Sequence, residues 1–259
     1  VVFSPHLDAT RSTFAGNHLW KIYKLFIKKI INSVDWIIVA SKFELNLLIQ
    51  QFSINQNKVT IIPHGVDIIN TEKFRIKTND IRLLYVGYLI KRKRVDYILK
   101  SLHSLIYDYK IKNILLTIIG EGSEKKNLFK LSKKLKIDDK IIWRTFLPRK
   151  ELEKEFKNSD VVLLLSESEA YGITVAEALA LGTPVIVTKQ TALKEFLNEP
   201  GCFGVSYPPN PKEVAKLILK IINTGVKVGP FSNRKIRLWN EVVSEYEKVY
   251  IDLLKCKNV

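Results

Sequence analysis

Short, nearly continuous apolar runs alternate along this chain with longer stretches whose apolar residues recur every third or fourth position. The first pattern predicts strands buried in a parallel sheet, and the second predicts helices that cover them. Strands are expected at Val34–Ala40, Lys58–Ile62, Ile81–Val86, 114–119, 140–143, Asp160–Leu165 and Thr183–Thr188, after a short opening strand. Helices are expected from Ser41 to Phe52, where Ser41 and Glu44 have the spacing of a capping box, and at 95–109, 123–136, 150–158 and 192–198. Asn210-Pro211 is a cap and first-turn pair for a helix over 211–223, and a last helix falls near 236–257. This alternation is that of a doubly wound α/β protein. The polar, charged spacer from Ile68 to Asp80 divides it best, and no internal repeat is evident.

The candidate chemistry gathers where Asp160–Leu165 ends. The stretch Ser166–Thr188, SESEAYGITVAEALALGTPVIVT, sets Glu169 and Glu177 eight positions apart around Gly172. The glycine lets a ligand approach the backbone, and the unpaired N–H groups opening the next helix form an anion site. A carboxylate on each side can accept hydrogen bonds from hydroxyl groups. A phosphate flanked by hydroxyls is the outline of a sugar nucleotide.

This E-x(7)-E element, with the Gly-Ile-Thr inside it and the Ala-Leu-Ala-Leu-Gly-Thr-Pro-Val tail, resembles the signature of the family-four retaining glycosyltransferases (glycosyl transferases group 1). Those enzymes have the GT-B fold, two Rossmann-like domains facing each other across a cleft. The resemblance implies that Glu169 touches the donor sugar hydroxyls, that Gly172, Ile173 and Thr174 present backbone to sugar and diphosphate, and that Glu177 holds the ribose. It also implies a domain division. Residues 1–67 become a partial, acceptor-side Rossmann-like domain, 68–235 the nucleotide-sugar-binding one, and 236–259 a helix crossing back to the first. Roughly the first hundred residues of the N-terminal domain are then expected to be missing, judged from usual domain lengths.

A second stretch, Val86-Gly87-Tyr88-Leu-Ile-Lys-Arg-Lys93-Arg94, is similar to the family's G-R-L…K-G segment, whose arginine and lysine neutralise the donor diphosphate. Gly87 and Lys93 match it. Tyr88 stands in the arginine position and Arg94 replaces a glycine, so Lys91, Arg92 and Arg94 are the candidate replacement cations. The plain alternative is a solvated basic loop ahead of a helix. Ile119-Gly-Glu-Gly122 matches the family's G-x-G turn, either as a structural element or in contact with ligand. Phe146 falls where the family's backbone meets the base, followed by Leu147 in place of the usual glycine. His6, in Ser4-Pro-His-Leu-Asp8, resembles the family's active-site histidine, which faces donor sugar and acceptor; otherwise it is a turn residue. Pro63-His-Gly-Val-Asp67 resembles the turn that closes the N-terminal domain, with His64 where asparagine is usual. The resemblance thus makes His6, Glu169 and Lys93 the catalytic set, with no metal and no cofactor, the nucleotide diphosphate sugar being the donor substrate.

Composition adjusts this reading at three points. Cys202 and Cys256 are too far apart in sequence to suggest a disulfide framework and are expected as core thiols. No stretch reaches transmembrane length and the opening lacks the features of a signal peptide, so a cytoplasmic protein is expected. The absence of methionine and the opening in a strand suggest a fragment or a misjudged start.

Of the net charge of +16, residues 71–150 hold +13, with 21 basic and 8 acidic side chains. No stacking aromatics are interleaved with the basic runs, so nucleic acid is not an expected partner. Lysine-rich solvated faces account for most of the charge. An amphipathic helix, Leu19–Ile31, gathers Ile22, Tyr23, Phe26, Ile27 and Ile30 on one face and Lys21, Lys24 and Lys28 on the other. It is either a core-facing helix with a lysine rim or a peripheral attachment to an anionic membrane on the cytosolic face, which a lipid-linked acceptor would suit. The expected activity is retaining hexosyl transfer from a nucleotide diphosphate sugar. The alternatives are a non-catalytic GT-B nucleotide-sugar-binding or partner protein, suggested by Tyr88, and a nucleic-acid binder, suggested by charge alone.

Overall fold

In the computed structural model the described residues are 1–7, 26–68, 79–226, 228 and 236–257. Most of the Ile68–Asp80 spacer, residues 229–235 and the first part of the Leu19–Ile31 helix, with Lys21 and Lys24, lie outside them.

Two parallel sheets organise the chain. The first has order β1-β2-β3, from β1 (Val2–Phe3), β2 (Trp36–Val39) and β3 (Val59–Ile61). A helical stretch over residues 26–33, α1, and α2 (Lys42–Phe52) cover it. The second sheet has six strands: β4 (Ile81–Val86), β5 (Ile114–Ile119), β6 (Ile141–Arg144), β7 (Val161–Leu164), β8 (Val185–Thr188) and β9 (Cys202–Val205). The helices between them are α3 (Val95–Tyr107), α4 (Lys125–Lys134), α5 (Arg149–Asn158), α6 (Ile173–Ala180) and, after β9, α7 (Pro211–Thr224). The chain closes on α8 (Trp239–Lys257).

The spatial order of the second sheet is β6-β5-β4-β7-β8-β9. The chain builds outward from β4 through β5 to β6, then returns to lay β7 on β4's other side, with Leu83 opposite Val161 and Leu84 opposite Val162. This is the doubly wound Rossmann order, and its reversal point lies between β4 and β7. Every residue of β7 and β8 is buried, as expected of central parallel strands covered on both faces. α3 supports β4 through Val95, Ile98, Leu99 and Leu102, all fully or almost fully buried, each such side chain worth about 1.5–3 kcal/mol over exposure.

Several expectations need correction. β9 is not among the expected strands. The stretch 192–198 is a 3₁₀ segment, Thr191–Phe196, because the spacing of Ala192, Leu193 and Phe196 suits either helix type. In α1 the buried residues are Ile27 and Ile31, whereas Phe26 is 61% and Ile30 51% exposed. The core-facing stripe is therefore turned by about one position from the expected one. Cys202 is buried, with burial raising its thiol pKa to about 12, but Cys256 is exposed and is no core thiol.

Glu44 completes only half of a capping box. Ser41 Oγ accepts from the Glu44 amide at 3.0 Å, but the Glu44 carboxylate does not return to Ser41. It accepts instead from the amides of Ala40 at 2.8 Å and Leu7 at 2.6 Å. Glu44 is fully buried, which raises its pKa, and these two N–H groups oppose that rise. The segment carrying His6 is thereby fastened to α2.

The two sheets are joined by direct contacts. Ser41 Oγ donates to the Ala170 carbonyl at 2.6 Å, and the Glu195 carboxylate accepts from the amides of Phe43 at 2.8 Å and Lys42 at 3.3 Å. Glu195 thus caps α2 from the other sheet's side, where a carboxylate meets the positive end of the helix. α8 packs Val242 with Ile38 and Ile62 of the first sheet, flanked by Trp36, Trp239 and Tyr246. Gly65 allows this approach, because a Cβ there would lie 2.7 Å from the Trp239 backbone.

Candidate functional site at the sheet switch point

In an open parallel sheet the crevice outside the strand ends at the reversal point is where ligands bind. Here the β4 and β7 ends supply it with Gly87–Arg94 and Ser166–Thr174. The two segments meet through charge. Lys93 Nζ lies 2.5 Å from Glu169 Oε1, and both side chains are about nine-tenths buried, at 12% and 10% exposure. Ser166 Oγ donates to the same carboxylate oxygen at 2.7 Å. The Glu169 amide donates to Thr191 Oγ1 at 3.2 Å, so the backbone behind the carboxylate is also held.

Gly172 turns the chain into α6 with φ of +101°, and a Cβ there would meet Leu193 at 2.8 Å, so glycine is required. Its carbonyl accepts from Val175 and Ala176. Ile173 and Thr174 contribute the first two N–H groups of the helix, which have no intrahelical acceptor. The Thr174 hydroxyl donates to the Val86 carbonyl at 3.3 Å, pinning α6 to the end of β4. On the β4 side, the Gly87 amide donates to the Ile119 carbonyl at 3.0 Å, and the buried Tyr85 hydroxyl donates to the Tyr88 carbonyl at 2.9 Å. The Tyr88 ring itself is 72% exposed. Phe146, beyond β6, is 77% exposed and Ile173 42%. Three large side chains, two on loops and Ile173 at the start of α6, thus stand open beyond the carboxyl ends of the strands, a surface suited to a flat or apolar ligand group.

The three candidate replacement cations separate. Arg94 is bound to Asp96 at 3.2 Å, bonds the Tyr207 hydroxyl at 3.2 Å and stacks on Tyr97. With Lys91 it lines a different cavity, shared with Lys100, Glu124 and Leu128. Arg92 is tied by its backbone to the loop after β7, its carbonyl accepting from the Glu167 amide at 2.7 Å.

Glu177 lies one turn into α6, and its carboxylate pairs with Arg149, the first residue of α5. Arg149 escaped the sequence reading. A basic residue in a first helical turn opposes the helix dipole, and that misplacement was the available signal. Ser166, Thr191 and Glu195 carried no comparable signal.

His6 sits with φ of +49° beyond β1, its Nε2 3.5 Å from Ser4 Oγ. Its ring lies 5.0 Å from that of His64, which meets Tyr171 edge-on at 5.4 Å. His6 therefore reaches the Glu169–Gly172 loop by way of His64. Burial, and the neighbouring His6, lower the His64 pKa, favouring its neutral form in this stack. Among the described residues no group of three or more His, Cys, Asp or Glu side chains could hold a metal ion, and no helix is long and apolar enough to cross a membrane.

Known proteins resemble the chain throughout. Residues 67–234 match the family model described as glycosyl transferases group 1, and residues 1–69 match that of glycosyltransferase family 4. An uncharacterized glycosyltransferase of Methanocaldococcus jannaschii is 26% identical over 233 residues, 83% of this chain and 59% of that protein. A phosphatidylinositol N-acetylglucosaminyltransferase subunit from Arabidopsis thaliana is 24% identical over 264 residues, all of this chain and 57% of that one. The chain thus spans little more than half the length of these relatives. Among solved structures, sucrose-phosphate synthase from Thermosynechococcus elongatus superposes with a TM-score of 0.79 at 17% identity, covering 98% of this chain and 68% of that one. Anabaena HepE, solved with UDP and glucose, gives 0.75 at 16% identity, covering 98% and 71%. The fold is GT-B, with Rossmann-like parallel sheets facing across the described contacts, and the chain belongs to the glycosyl transferases group 1.

Proposed function

We propose that the chain is the donor-binding part of a retaining glycosyltransferase that moves a hexosyl group from a nucleotide diphosphate sugar to an acceptor hydroxyl. One observation carries the reading: the Lys93–Glu169 pair and the open N-terminus of α6 converge at the sheet's reversal point. In this reading Glu169 orients the sugar hydroxyls and Glu177 the ribose. Lys93, with the backbone of 172–174, takes up the charge that grows on the diphosphate as the bond to the anomeric carbon breaks. Tyr88, Phe146 and Ile173 offer apolar surface to the base and ribose. His6 lies on the acceptor side; as the bond from the anomeric carbon to the diphosphate breaks and the bond to the acceptor oxygen forms, the acceptor hydroxyl's proton passes to the released diphosphate, and the configuration at that carbon is retained. Arg92 supplies the second positive charge in place of an arginine at position 88. No metal takes part in this scheme. The solved complex of HepE with UDP and glucose supports a nucleotide sugar as donor.

The stereochemistry is checked by proton NMR of the fresh product or of slowly hydrolysed donor. The first sugar formed should carry the anomeric configuration of the donor. Inversion would exclude retention, and binding without turnover, even beside an added acceptor-side partner, would leave a non-catalytic nucleotide-sugar protein.

A second observation favours a membrane-associated acceptor. Phe26 and Ile30 are exposed four positions apart on α1, beside exposed Lys28 and Lys29. An apolar pair rimmed by lysine suits the surface of an anionic bilayer, where each basic residue near the headgroups contributes about 1 kcal/mol. Sedimentation with phosphatidylglycerol vesicles is expected to capture the chain at low salt and to release it as the screening length falls below about 8 Å. Phe26→Ser with Ile30→Ser should reduce capture. Equal capture by neutral vesicles removes the lysines' part in attachment, and no capture by either removes the membrane from the account.

A further inference from the structure

Arg149 is placed where helix electrostatics disfavour it, at the first position of α5. Its two terminal nitrogens reach two groups far apart in the sequence. Nη1 donates to Glu177 Oε1. Nη2 donates to the carbonyl of Asp67, the last residue of the Pro63–Asp67 turn by which the chain leaves the first sheet. Nε stands 3.4 Å from Oε1 of Glu153, itself buried at 1% exposure. Nη1 and Nη2 thus hold the guanidinium at two corners, while the buried Nε makes no hydrogen bond and has only the Glu153 charge beside it. A planar fork fixed at two ends is rigid, and a carboxylate bound to it loses its freedom to rotate.

We propose that Arg149 is the positioning residue of the ribose site. By holding Oε1 of Glu177 it fixes the carboxylate plane, so that the remaining acceptor capacity meets the two ribose hydroxyls at a set angle. By holding Asp67 it ties that geometry to the segment joining the two sheets. The inference rests on the reading of Glu177 as the ribose acceptor. Without Arg149, Glu177 keeps its charge and its place on α6 but samples several rotamers, and the selectivity for a ribose over a sugar without hydroxyls falls. Arg149 itself need not touch the nucleotide, so the effect falls on ribose discrimination rather than on phosphate affinity.

The test is calorimetric titration of the full chain with UDP, GDP and ADP, followed by the 2′,3′-dideoxy form of the tightest binder. The unmodified chain should prefer the ribonucleotide by about tenfold or more, the range of hydrogen bonds to a charged acceptor. Glu177→Ala should abolish the preference. Arg149→Ala should bring the ratio to within about threefold of unity, and the double variant should lose no more than either single one. Arg149→Lys, which retains the charge but not the fork, should also lose most of the preference, and it is read alone if Arg149→Ala does not fold. A purely structural role would lower the melting temperature and leave the ratio unchanged. If Glu177→Ala loses the preference while both Arg149 variants keep it, the positioning role is wrong and the ribose reading stands. If Glu177→Ala keeps it, or no nucleotide binds, both are wrong.

Discussion

Glu169→Gln is expected to lower turnover about a hundredfold, the scale of losing precise substrate orientation, while hardly changing affinity for the free nucleoside diphosphate. Glutamine has the size of glutamate and can still accept from Ser166, whose Oγ lies 2.7 Å from Oε1. It cannot balance Lys93, which is 12% exposed and has Glu169 as its ion-pair partner at 2.5 Å. The cation then turns to the diphosphate or to water, and the sugar loses its anionic acceptor. Because the phosphate contacts proposed above come from Lys93 and the backbone at the start of α6, binding of the diphosphate alone is expected to survive. Steady-state kinetics with a saturating donor, beside calorimetry with the diphosphate, would separate the two effects. An equal loss in both would mean that Glu169 only holds Lys93 in place.

Gly120→Ala is expected to cost about 3 kcal/mol of stability and to lower the melting temperature by roughly 6–12 °C. A Cβ at this position, where φ is +154°, would lie 1.9 Å from the Gly87 carbonyl oxygen. The backbone cannot yield easily, since the Gly120 amide is bonded to the Arg144 carbonyl at 2.9 Å and the Gly87 amide to Ile119 at 3.0 Å. The ends of β4 and β5 must separate, and the end of β4 at Val86, with Gly87 and Tyr88 just after it, forms the floor of the candidate site. Nucleotide affinity should therefore fall with stability. Gly225→Ala is the control: φ is +58° there with open space around it, so only the backbone cost of about 1–2 kcal/mol applies. Calorimetric melting of the three proteins measures the difference, and equal midpoints for the two variants would contradict the packing argument.

The part of this fold that the sequence makes readable is the part written in local pattern. The buried runs of β4, β5, β7 and β8 and the caps at Ser41 and Asn210 are visible because each depends on residues within a few positions. β9 was obscured: Cys-Phe-Gly-Val is short, and Asn198-Glu-Pro-Gly201 before it has the composition of a loop. The motif spacing singled out Glu169 and Glu177, but their partners come from far along the chain, Lys93 76 positions away and Arg149 28 away. The same is true of Glu44 and Leu7, 37 apart, and of Glu195 and Phe43, 152 apart. Such pairs are set by how the sheets face each other, which no periodicity records. The face of α1 was misjudged for a related reason. Ile27, Ile30 and Ile31 are equally apolar, and only packing against Val34, Leu48 and Phe52 decides that Ile30 stays out.

The central claim is that the reversal point of the larger sheet binds a nucleotide sugar, with the sugar read by Glu169. Its most direct test is calorimetric titration of the chain and of Glu169→Gln with sugar nucleotides and with their free nucleoside diphosphates. The account predicts that the unmodified chain binds one sugar nucleotide more tightly than its free diphosphate and that Glu169→Gln loses this increment. The same increment in both proteins, or no saturable binding by the unmodified chain, would contradict it.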